Sequence, residues 1–95
     1  MAPRRVSVAD IERALRDALA PTALEVVDDG HLHVGHPGAR EGGHFSVRIC
    51  SAAFAGMTRL ARHRLVYDAL RRLMPSGIHA LAIEARAPHE PEARS

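Results

Sequence analysis

A chain of 95 residues suits one domain with a single core, and its 46% hydrophobic and 25% charged content excludes a disordered or fibrous protein. No apolar run approaches the roughly 20 residues that span a bilayer, and Met1 to Asp10 lacks the apolar stretch of a secretory signal, so a cytoplasmic protein without membrane contact is expected. The formal charge is only +2, yet all thirteen basic residues are arginine, whose planar fork suits phosphate and carboxylate partners; a solvated arginine face is the plain alternative.

The first six residues form a basic, proline-containing arm. Ser7-Val8-Ala9-Asp10 fits a capping box and predicts that a helix starts at Ser7. Ile11, Ala14, Leu15, Ala18 and Leu19 recur at helical spacing as its apolar stripe, and Pro21 stops it. Leu24 to Asp28 reads as a strand. Phe45, Val47 and Ile49 alternate with polar residues, so Phe45 to Ser51 reads as a second. Between them lies a long loop, Asp29 to Gly43, rich in glycine and histidine. Phe54-Ala55-Gly56 suggests a short helix, followed by a long one from Thr58 to Met74 with Leu65, Val66, Ala69, Leu70, Leu73 and Met74 on one face. Pro75-Ser76-Gly77 ends that helix, and Ile78 to Arg86 reads as a third strand. The expected division is a flexible arm at 1–6, one domain at 7–87 and a flexible tail at 88–95. This order predicts an α+β fold, α-β-β-α-α-β, with a three-stranded sheet and its helices on one face.

Candidate chemistry is sparse. Cys50 is the only cysteine, which excludes an internal disulfide, a CxxC pair and a four-cysteine metal site; its strand position makes it a packed thiol. No Ser/His/Asp grouping, HExxH, P-loop or dinucleotide fingerprint occurs, so an enzyme is not expected. Seven histidines are many for this length. His31, His33 and His36 crowd the long loop, where a histidine tract by itself is a weak metal signal. His63 is expected to pack at the edge of the core. Arg59, Arg62, Arg64, Arg71 and Arg72 lie on or near the long helix and are the candidates for salt-sensitive phosphate contacts.

Phe54-x-Gly56, then Arg62-His63-Arg64-x-Val66-x-x-x-Leu70, His79-Ala80-Leu81 and Leu24-Glu25-Val26 together resemble the BolA family over roughly Ile11 to Pro88. That resemblance implies a fold like the class II KH domain. The tetrapeptide Gly35-His36-Pro37-Gly38 imitates the KH phosphate loop, but it lies between strands rather than helices, and Pro37 lacks an N–H. The resemblance also implies a non-enzymatic adaptor that binds a monothiol glutaredoxin and shares with it, and with glutathione, a [2Fe–2S] cluster. In that reading His33 and His79 are the iron ligands, with His31 or His36 as possible substitutes for His33. Two imidazoles on one iron raise a cluster's potential. Alone, the chain is expected to be cofactor-free and a monomer or weak dimer. The same family admits a second reading, a DNA-binding transcriptional regulator of cell morphology and stress response, with the helical arginines as its contacts.

Overall fold

The chain lays its helices across one face of a three-stranded sheet. The computed structural model describes residues 6–29 and 43–90. Helix α1 runs Val8–Leu19. Its start is the expected capping box: Ser7 N–H donates to Asp10 Oδ2 at 2.9 Å, and Asp10 N–H donates to Ser7 Oγ at 3.1 Å. Ile11, Leu15 and Leu19 are buried, whereas Ala18, placed on the stripe by spacing, is exposed. Ala20 closes the helix in the left-handed region, and Pro21 follows it.

The strands are β1 (Ala23–Asp28), β2 (Gly43–Cys50) and β3 (Ile78–Arg86), in the order β1-β2-β3. β1 pairs antiparallel with β2, and β2 pairs parallel with β3. A parallel pair requires a crossover connection, and residues 51–77 supply it. Phe45, Val47 and Ile49 of the central strand are buried under the helices. Leu24, Val26, Leu81, Ile83 and Ala85 flank them on the same face, as the period-two alternation requires.

The crossover begins at Ser51, a buried polar residue whose hydroxyl donates to Leu19 O at 2.6 Å and accepts from Ala53 N–H at 3.1 Å. It thereby joins the end of α1 to a 3₁₀ turn, Ala52–Phe54, which drives Phe54 fully into the core. Gly56 has φ 75°, a conformation that glycine alone adopts without steric cost. Thr58 then caps α2 (Arg59–Ala69) by accepting from Ala61 N–H at 3.1 Å.

The long helix is shorter than its apolar spacing predicts. α2 closes at Leu70, a turn occupies 71–73, and a four-residue helix α3 (Met74–Gly77) follows. In a continuous helix the Pro75 ring would strike the carbonyl four residues earlier. Here Pro75 instead sits in the first turn of α3, where a missing N–H costs no hydrogen bond. Val66 and Leu70 are nevertheless buried, and Leu65, Ala69, Leu73 and Met74 pack against the same cluster.

Contacts with the core are made on both sides of residues 7–87. Val6 packs on the core and crosses Gly77 so closely that a Cβ there would stand 2.6 Å from Val6 Cγ2. Residues 88–90, expected in the tail, form a turn after buried Ala87 that Arg62 holds in place.

Candidate functional site

The ladder between β2 and β3 is irregular at one point. Gly43 pairs with Ile78 and His44 with Ala80, so β3 carries His79 as an extra residue in a bulge. Bulges re-aim a residue or end a pairing, and they recur beside functional sites. This bulge lies at the end of the sheet where β1 stops and β2 begins, which is where the loop carrying His31, His33 and His36 leaves the sheet. Those three histidines and the Gly35–Gly38 tetrapeptide lie outside the described residues.

Beside the bulge, the face of the sheet opposite the helices is open. Asp29 N–H donates to His44 O at 2.7 Å, and the Ser46 hydroxyl donates to the Asp29 carboxylate. Ala80 and Ala82, opposite His44 and Ser46 in register, are too small to fill the face. A shallow depression of about 540 Å³ remains, lined by Asp29, His44, Ser46, Ala80 and Ala82. Among the described residues no group of three or more His, Cys, Asp or Glu could hold a metal ion. Cys50 is buried at the opposite end of β2, paired with Ala23 and Arg86. Cys50 lies six strand rises from His44, about 20 Å, so its thiol is not at this end. Farther along the open face, Arg48 bridges Glu25 at 3.6 Å and Glu84 at 3.1 Å across all three strands.

The basic residues divide into two groups. Arg59 and Arg64 are exposed on α2, and Arg71 and Arg72 are exposed in the turn after it. Leu60, 60% exposed, and Tyr67, 40% exposed, share the outer side of α2 with Arg64. Arg62 differs from the expectation that it presents a free cation. Its Nε donates to Met57 O at 3.0 Å and its Nη1 to Ala85 O at 3.2 Å, while Nη1 and Nη2 clasp Glu90 at 2.7 and 2.9 Å. The α2 stripe turns this side chain toward β3, where edge carbonyls need donors, so it ties the fold together. Glu90 also accepts from Ala87 N–H at 2.9 Å. These bonds, Arg62 first and Ala87 second, lower the Glu90 carboxyl to about 2 and raise the Arg62 guanidinium further above its ordinary value.

His63 is half-buried and, with Met57, Arg59 and Arg62, faces Ala82 to Ala85 across a groove of about 640 Å³. Phe54, Val66 and Leu70, three positions of the helical signature, have no exposed surface and are core residues. Glu90 is the residue that sequence reasoning missed. It lies 28 positions from Arg62 in an acidic, proline-containing tail, and no local pattern marks it as a partner.

The family model for BolA-like proteins matches residues 15–90. The protein named for the cobS 5′ region of Sinorhizobium sp is 48% identical over 85% of this chain and 90% of its own length. The DNA-binding transcriptional regulator BolA of Escherichia coli is 40% identical over 77% of this chain and 68% of its own. The plant SufE-like and BOLA1 relatives and the human BolA-like protein 1 are longer, and the chain spans 23%, 50% and 57% of them. Among solved structures, the BolA domain of SufE1 from Arabidopsis thaliana superposes with a TM-score of 0.78 at 44% identity, covering 88% of this chain and 94% of that one. No helix among the described residues is long and apolar enough to cross a membrane. With its α+β architecture, its helical signature buried in the core and a family match over most of its length, this chain belongs to the BolA family.

Proposed function

We propose that this chain is a non-enzymatic adaptor that docks on a monothiol glutaredoxin and contributes two histidine ligands, His79 and His33, to a glutathione-dependent [2Fe–2S] cluster shared between the two proteins. The observation that carries the reading is the bulge. It sets His79 apart from the regular ladder at the end of the sheet from which the histidine loop leaves. Family membership is compatible with this role. His31 or His36 stands in for His33 if the loop places one of them closer. The cluster, when held, supplies an iron with two imidazole ligands and hence a raised potential. The chain's own part is to present neutral imidazoles and an open, alanine-floored face for the partner.

The test mixes the purified chain with a monothiol glutaredoxin, glutathione, iron and sulfide, and follows complex size and visible circular dichroism. A coloured heterodimer is expected, distinct from the glutaredoxin homodimer. His79→Ala should remove that distinct spectrum while far-UV dichroism stays unchanged. A His33→Ala/His79→Ala double variant whose heterodimer keeps the unmutated spectrum refutes the ligand assignment.

A second reading, DNA binding by Arg59, Arg64, Arg71 and Arg72, is favoured by the exposure of all four and by the similarity to the E. coli regulator. It predicts affinity for duplex DNA that falls steeply with salt and is weakened by Arg64→Gln/Arg71→Gln. Binding indifferent to both would exclude it.

A further inference from the structure

We propose that the Arg62 guanidinium is an oxyanion site for a nucleic-acid phosphodiester, closed in the free protein by the chain's own Glu90. The inference rests on the DNA-binding reading and concerns its regulation. Two backbone carbonyls, Met57 O and Ala85 O, fix the plane of the guanidinium. The remaining Nη1 and Nη2 hydrogens form a fork that Glu90 fills with both carboxylate oxygens. A fork of this geometry accepts carboxylate and phosphate alike, because both offer two oxygens at matching separation.

The Arg62 side chain lines the groove between α2 and β3 together with Arg59 and His63, and Glu90 holds its fork from outside that lining. Glu84 also lines the groove, but Arg48 on the same wall neutralises it at 3.1 Å, so an anion there meets exposed Arg59 and, once Glu90 withdraws, Arg62. The closing turn is not held at its lowest energy: His89 has φ 73°, a region that non-glycine residues rarely occupy. Strain there favours release. The Glu90 side chain is 38% exposed, so a competitor reaches it from solvent. Its carboxyl, lowered to about 2, stays ionised at neutral pH, so the fork opens by displacement and not by protonation. An internal competitor raises the apparent dissociation constant by the reciprocal of the open fraction.

The experiment compares binding of a fluorescein-labelled 12-base-pair duplex to the full chain, to Glu90→Gln and to Asp17→Asn. The last removes the same charge from an exposed position on α1. Glu90→Gln should bind roughly tenfold more tightly than Asp17→Asn. It should also steepen the dependence of log affinity on log salt by about 0.9, the increment for one added phosphate contact. In the unsubstituted protein, the Arg62 Nε resonance should shift on titration with duplex, which keeps the test independent of how the variant folds. Equal affinity and slope for Glu90→Gln and Asp17→Asn, with an unmoved Arg62 resonance, overturn the proposal. If Arg64→Gln/Arg71→Gln weakens binding in that case, the DNA-binding reading survives alone. If no form binds duplex, both fall. Inorganic phosphate displacing the duplex at equal phosphate concentration overturns the phosphodiester assignment.

Discussion

Truncating Leu70 to alanine tests the packing of the crossover most directly. Leu70 has no exposed surface and lies in one cluster with Val66, Ile11, Leu15 and Phe54. Its backbone N–H bonds both Val66 O and Tyr67 O, and its carbonyl receives Leu73 and Met74 N–H. The backbone around the site is therefore anchored on both sides and collapses only partly into the space left behind. Removal of three carbons forfeits roughly 2.4 kcal/mol of transfer free energy, at about 0.8 per methylene. A residual cavity of roughly 40 Å³ adds about 1 kcal/mol. The expected loss is about 3 to 3.5 kcal/mol. In urea unfolding the midpoint should fall by about 1 to 3 M with an unchanged slope. Leu60→Ala, at a position 60% exposed on the same helix, should stay within about 0.5 kcal/mol of the unsubstituted protein. A loss below about 1 kcal/mol for Leu70→Ala would refute the placement of this helix face.

Ser51→Ala should cost about 1 to 3 kcal/mol by the same assay, because the buried Leu19 carbonyl and Ala53 N–H both lose their hydroxyl partner; a neutral substitution would show that water replaces it. The Arg62–Glu90 clasp predicts a pH signature. The Glu90 carboxyl is lowered from an unfolded value near 4.5 to about 2, so its stabilisation is complete above the unfolded value and lost as pH falls through the folded one. Glu90→Gln should accordingly be less stable than the unsubstituted chain at pH 6, and that difference should shrink between pH 4.5 and 2; a pH-independent difference would contradict it.

Local patterns are enough to read α1, its capping box and the three strands, because each depends on residues within a turn or a few strand positions of one another. The same holds for the stripe that buries Val66 and Leu70, since spacing of 3.6 residues selects a helix face wherever the helix ends. The family signature was likewise legible: its phenylalanine and glycine are required locally, one to fill the core and the other to take a positive φ. His79 and His33 are ligand candidates only through the resemblance, and His33 lies outside the described residues. The features that no local pattern reveals join residues distant in the chain. The bulge at His79 lies in a pairing of β3 with β2, where Gly43 meets Ile78 and His44 meets Ala80, and no property of His79 announces an unpaired place in a ladder. The break at Leu70 reflects Pro75 taking the start of a new helix instead of merely ending the old one. Arg62 reads as a surface cation until Met57, Ala85 and Glu90 converge on it. A guanidinium's role is set by which acceptors the fold brings within hydrogen-bond reach, and composition and periodicity carry no record of contacts between segments 28 residues apart.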